Sequence, residues 1–251
     1  MTDVSASGSL ARIRAVAMVG GRDVYRDPVL VGLLLVIPAY FVGAWGTIVP
    51  DQEFPADIAT ADGTATLTVP FPELMTTLIA PVTAALLVGI SGLFIVQRSA
   101  AVDRRLTVTG FRILELLAAR FVILATITIL VTAVVTVLAY LHLTPEHLRW
   151  FVLALALAAG TYGAVGALVG LLVGRMAGVY ILLFVPMLDI LLLQSPMADP
   201  DDWIRWLPGH HATELALSAA FASDVATGHV VPAVLMLFAI SGIAILANVI
   251  R

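Results

Sequence analysis

Six stretches of the chain are uncharged and predominantly apolar: residues 29–49, 74–96, 121–141, 150–174, 176–194 and 230–250, with only Asp189 interrupting the fifth. Each runs 19 to 25 residues. A helix rising ~1.5 Å per residue needs about 20 residues to cross the ~30 Å hydrocarbon core of a bilayer. The pattern therefore predicts an all-α integral membrane protein, six spans in a single domain over residues 1–251. The first run is too long for a signal-peptide core and follows a polar segment of 28 residues, so it is expected to remain as a span.

The polar intervals have patterns of their own. Over residues 9–27, Leu10, Ile13, Ala17 and Val24 recur at helical spacing while Arg12, Arg22 and Arg26 lie elsewhere around the wheel. That distribution predicts a helix lying in the membrane interface, its arginines among lipid headgroups. Asp27-Pro28 then ends it, and Pro28 suits the first turn of the next helix. Between Arg98 and Arg120, Leu106, Ile113, Leu114 and Leu117 fall near one helical side, with Asp103, Arg104, Arg105 and Arg112 facing away and Gly110 as a break. A short surface helix lying at the cytoplasmic face before span three is expected there. Residues 50–73 are long and acidic, and their alternation around Asp62-Gly63 predicts a small hairpin. Only the Gly174-Arg175-Met176 region separates spans four and five, which implies a tight helical hairpin. Residues 195–229 hold Asp199, Asp201 and Asp202, then Trp203 and Trp206, then Pro208-Gly209, then "HATELALSAAFAS". The last piece is too short to cross and too apolar for a solvated loop. It predicts a re-entrant element that dips into the outer leaflet and returns.

Charge fixes an expected orientation. With the N-terminus inside, eleven of the thirteen arginines face the cytoplasm, leaving Arg149 and Arg205 outside, while the outer segments hold all five histidines and eleven of seventeen acids. The positive-inside rule thus puts both termini in the cytoplasm. Overall 61% of residues are hydrophobic and 12% charged. The net charge of −4 says little about partners because the two faces differ so strongly in sign, and no nucleic-acid surface is expected.

Two absences narrow the chemistry. Without cysteine there are no disulfides, thiol catalysis or thiolate metal sites. Without lysine there is no phosphate-binding loop and no Schiff base, so this chain is not expected to hydrolyse ATP or to act as an enzyme. Gly89-Ile90-Ser91-Gly92 spells the GxSG of intramembrane serine proteases, but every histidine lies outside the spans or at an outer end. Close helix packing by small residues is the better reading. His210, His211 and Glu214 could gather a metal, yet no recognised ligand spacing is present and surface histidines are the default. Gly166, Gly170 and Gly174 repeat small-xxx-small spacing, for a contact within the chain or between subunits. Asp189, three residues after Pro186, has two readings: a polar pathway through the membrane, or a carboxylate that snorkels outward or caps the re-entrant element. Pro38, Pro81 and Pro186 lie within spans and can kink them.

Taken together, "RDVYRDPVLVGLLLVIP" after an amphipathic helix, six spans, "RRLTVTGFRILELLAARF" between spans two and three and "WLPGHHATELALSAAF" before the last span resemble the membrane subunits of ABC-2 type ATP-binding-cassette transporters. The resemblance covers essentially the whole chain. It implies that residues 99–112 form a coupling helix docking on a separate ATPase, with Asp103, Arg104, Arg105, Gly110 and Arg112 at the contact and Arg12, Arg22 and Arg26 on the helix beside it. Many such loops carry an acid followed by "TP"; here Asp103 offers the acid and "TVTG" replaces the proline form. It further implies two permease copies with two ATPases that bind ATP and Mg, in a plasma-membrane exporter of drugs, antibiotics or lipids. Asp189, Pro208 and Glu214 would then line the substrate path or outer gate. An ion-coupled carrier working through Asp189 is the competing class.

Overall fold

The computed structural model describes residues 32, 36–44, 48, 50–108, 113–196 and 202–250, with backbone alone at 99–108 and 113–115. Its elements are strands β1 (Glu53–Thr60) and β2 (Gly63–Pro70) and helices α1 (Phe71–Val108), α2 (Ile113–Ala139), α3 (Leu148–Leu172), α4 (Arg175–Pro186), α5 (His210–Phe221) and α6 (Val230–Ile250). Short turns of other helix types lie between them. Among the described residues, five helical segments are long and apolar enough to cross a membrane: Phe71–Arg98, Leu116–Ala139, Leu148–Leu172, Arg175–Leu193 and Thr227–Ile250. The chain is a multi-pass, predominantly helical membrane protein. Most of the expected first span lies outside the described residues; its part at 36–44 is helical, ending in a π-helical turn, Ala39–Ala44.

Helix α1 is the axis of the bundle, with 83% of its most apolar window buried by protein, against 11% for α6. Lipid must cover what protein does not, and α6 presents Leu235, Phe238 and Leu246 outward, as α2 presents Ile129, Leu130 and Val137. Several hydroxyls inside the spans are satisfied locally, Thr76, Thr83, Ser91 and Thr128 each donating to the carbonyl four residues back, whereas the Thr132 and Thr136 hydroxyls of α2 are buried with no partner among the described residues.

The α1–α3 contact is built on glycine. A Cβ on Gly166 would stand 2.7 Å from the Gly89 carbonyl carbon, and one on Gly92 would stand 3.1 Å from the Ala167 nitrogen. The two backbones can approach so closely only because neither helix has a side chain there. The small-residue spacing is thus used within the chain at Gly166 and Gly170, whereas Gly174 has nothing within 4 Å and starts α4 instead. Val173 and Gly174 alone join α3 to α4, the expected tight hairpin.

The strands pair antiparallel from Glu53↔Pro70 to Thr60↔Gly63. Ala61 and Asp62 make the turn, one residue earlier than the alternation suggests, because Gly63 at φ 143° is needed to close it. Ala56, Ile58 and Val69 on the inner face pack with Leu74, Leu78, Leu217 and Ala222, seating the hairpin on α1 and α5. The starts of α1, α3 and α6 and the ends of α2 and α4 share this hairpin end.

At the far end α1 does not stop at the edge of its apolar stretch. Its backbone continues to Val108, so the segment expected as a separate surface helix begins as an extension of span two. The helix-favouring Ala100, Ala101, Arg104, Arg105 and Leu106 carry it on, with no glycine or proline before Gly110. Gly110, Arg112, Arg12, Arg22 and Arg26 lie outside the described residues, as do the side chains of Asp103, Arg104 and Arg105. Arg175 stands over the Phe94 ring at 4.6 Å and Arg98 at 5.8 Å, marking this end as the basic one.

Candidate functional site

The hairpin end concentrates the buried polar side chains. Pro186 lacks an N–H, and after it the helix continues as a π-helical segment, Met187–Leu193, in which the Gln194 N–H bonds the Asp189 carbonyl five residues back at 3.1 Å. Asp189 itself is 3% exposed. Its Oδ2 accepts from the Tyr162 hydroxyl of α3 and from the Gly209 N–H at 2.7 Å, and its Oδ1 accepts from the Gln194 amide at 3.1 Å.

Gly209 is the residue before α5, where a helix leaves its first N–H groups without partners. A carboxylate there is favoured by hydrogen bonding and by the helix dipole. A Cβ on Gly209 would meet Asp189 Oδ2 and Ile190 Cγ1, both at 2.7 Å. Gly209→Ala is accordingly expected to push Asp189 aside and lower the unfolding temperature in detergent; an unchanged temperature would mean that the turn has room to spare. Pro208 lies in the same turn, ahead of Gly209.

Helix α5 has twelve residues and cannot span a bilayer, yet Ala212, Thr213 and every residue from Leu215 to Ala220 are buried. Its final carbonyls are not left to solvent: Ala219 accepts from the His147 N–H at 2.9 Å and Ala220 from the Glu146 N–H at 3.2 Å. The Thr213 hydroxyl donates to the Gly209 carbonyl, and the Ser218 hydroxyl oxygen accepts from the Ala226 N–H. Trp203 and Trp206, just ahead of it, are exposed. Burial raises the Glu214 carboxyl to about 7.

The histidines correct the sequence reading. His210 is only 7% exposed rather than a surface residue, because the start of α5 packs against the π-helical segment that follows α4. Its Nδ1 donates to Gln194 Oε1 at 2.7 Å, completing a chain from Tyr162 through Asp189 and Gln194 to the imidazole. Desolvation, then the charges of His211, His229 and Arg205, hold it down at about 4, so it is neutral at physiological pH. The third member of the cluster is His229, not Glu214: ring nitrogens of His210, His211 and His229 lie within 4.8 Å of one another. His211 Nδ1 and His229 Nδ1 face each other at 3.1 Å. Sequence spacing gave no hint of His229, eighteen residues from His211. Topology does, since both α5 and α6 begin at the same end.

Ser91 lies about 30 Å along α1 from that end, by helical rise over twenty residues. Its hydroxyl donates to the Leu87 carbonyl at 2.8 Å, and all five histidines lie at or near the hairpin end. No base reaches it. Gly89 and Gly92 serve the contact with α3 instead. No protein-family model matches the chain, and no curated protein matches it either.

Proposed function

We propose that the chain is the permease subunit of an ATP-driven exporter of the ABC-2 type, moving a hydrophobic substrate such as a drug, an antibiotic or a lipid out of the cytoplasm. The observation that carries this reading is α5. A twelve-residue helix too short to cross, lying in sequence between the last two spans, packed on α3, α1 and β1 and anchored at both ends by hydrogen bonds, has the length and position of the re-entrant outer element that the resemblance implies. The order of hairpin, spans and re-entrant helix supports it, as does the absence of lysine, since a pump lacking a phosphate-binding loop takes its work from a partner.

In this reading the basic end faces the cytoplasm of a plasma-membrane protein with both termini inside, and the extension of α1 leads to the ATPase contact. Asp189, Pro208 and Glu214 belong to the outer gate, with Asp189 holding the start of α5. Two permeases and two ATPases make the working unit, and ATP and Mg bind the partner. A carrier coupled to a proton gradient would need Asp189 to exchange protons with water; its oxygens are instead engaged by Tyr162, Gln194 and Gly209.

Purification of the tagged full chain from its native membrane is expected to bring down an ATP-binding-cassette subunit in equal amount. Arg104→Glu with Arg105→Glu is expected to leave the chain in the membrane but to cut transport at least about tenfold, because losing an interfacial charge pair costs roughly 2 kcal/mol or more. A double variant that keeps its ATPase and transports normally would dispose of the coupling assignment. A wild-type chain that purifies without any ATPase would dispose of the family.

A further inference from the structure

The transport reading makes no use of the three histidines. His210 and His211 open α5, and His229 ends the turn that leads into α6. Imidazoles that merely coexist at a polar surface point their nitrogens toward water. These point at one another: the His211 and His229 Nδ1 atoms are 3.1 Å apart, and the three ring nitrogens fit within 4.8 Å.

That geometry is close to a coordination shell. An ion bonded to imidazole at ~2.0–2.1 Å in tetrahedral geometry holds neighbouring ligand nitrogens ~3.3 Å apart. The His211–His229 pair already has nearly that separation. Bringing His210 in takes a side-chain movement on the order of 1 Å to reach the same bond length.

The second observation is independent of the first. His210 Nδ1 is spent on Gln194 Oε1, an atom that can only accept, so the proton sits on Nδ1 and the lone pair on Nε2. Gln194 is held in turn by Asp189. Metal-bound histidines typically donate the other ring N–H to a fixed acceptor, which sets the tautomer and the ring orientation. Here that support is built, buried, and ends on a carboxylate.

We propose that His210, His211 and His229 form a three-histidine site for a divalent transition-metal ion, with zinc as the best match. Three neutral imidazoles with no carboxylate among them suit zinc, copper or nickel and give no foothold to calcium or magnesium. The fourth position is left for water or an exogenous ligand, as in open zinc sites. An ion bound there ties the first turn of α5 to the entry of α6 and closes the intervening segment into a loop. In the exporter reading it would pin the outer gate to the last span, but the site stands on its own residues whatever the chain transports.

The test uses the full-length protein in detergent, stripped with a chelator and titrated with zinc. One equivalent is expected to bind and to raise the unfolding temperature. His211→Ala and His229→Ala should each weaken zinc binding at least about a hundredfold, and Gln194→Ala, which removes only the support, about ten- to a hundredfold. His142→Ala, at the same end but outside the cluster, should change nothing. Binding that is equally tight in His211→Ala and His229→Ala overturns the assignment. Cobalt(II) added to the wild-type protein needs no variant: ligand-field bands of a tetrahedral nitrogen-bound ion are expected, and their absence at one equivalent overturns the site as well.

Discussion

Replacing Gly166 with leucine is expected to leave no folded protein in detergent. The position faces backbone, not side chain: its Cβ would come within 2.7 Å of the Gly89 carbonyl carbon and closer still to the Gly89 oxygen. Carbonyl groups inside two helices cannot rotate away, so the helices must separate. Separation would also lift Gly163 and Gly170 from their contacts with Val88 and Leu93, in the most extensive helix pair of the bundle. Overpacking by small increments costs roughly 1–3 kcal/mol in a well-packed core. A whole side chain at a backbone contact exceeds that and approaches the ~5–15 kcal/mol that holds a typical domain. Gly166→Ala and Gly92→Ala should fold with a clearly reduced unfolding temperature, while Gly174→Ala, with open space around it, should resemble wild type. Thermal unfolding by circular dichroism ranks the four. The ranking should not depend on protein concentration, since the contact lies within one chain. A Gly166→Leu protein with wild-type stability would mean that α1 and α3 do not meet through these glycines.

The same helix pair shows what was and was not legible in the sequence. Runs of about twenty apolar residues declare spans directly, because the bilayer thickness acts on composition and needs no knowledge of neighbours. Alternation makes the hairpin legible, but its turn falls one residue earlier than Asp62-Gly63 because Gly63 opens the second strand. The extension of α1 to Val108 is not legible, because a charged, helix-favouring segment leaving a membrane looks the same whether it bends onto the surface or continues straight. Small-residue spacing marks Gly166 and Gly170 as contact positions without naming Gly89 and Leu93 as their partners. Contacts between elements are a property of packing, which spacing along one element does not encode. The histidine cluster and the Tyr162–Asp189–Gln194 chain were illegible for that reason. Tyr162 and Asp189 are 27 residues apart, and His210 and Gln194 are 16 apart. Asp189 stands out on its own, since an acid within a span is costly wherever it points, and His210 and His211 stand out as neighbours, but nothing in the spacing joins them to His229 or Gln194.

Asp189→Leu is expected to be the most damaging polar substitution in the chain. Leucine is close in size, but it leaves the Tyr162 hydroxyl, the Gln194 amide and the Gly209 N–H facing an apolar group at a position that is 3% exposed. An unsatisfied buried donor costs roughly 1–3 kcal/mol, so three of them compare with the stability of the fold. Asparagine keeps one acceptor and turns the other into a donor that faces a donor. Unfolding temperatures should therefore fall in the order wild type, Asp189→Asn, Asp189→Leu. Tyr162→Phe made in the Asp189→Leu background removes one stranded hydroxyl and should cost less than the same change in wild type, a coupling of roughly 0.5–3 kcal/mol for groups in direct contact. Zero coupling would show that the two side chains are not partners. Transport per folded molecule separates the two readings of the carboxylate: a group that anchors α5 lets Asp189→Asn transport normally once its lower stability is allowed for. A proton-carrying group cannot, because asparagine has no proton to exchange in that range.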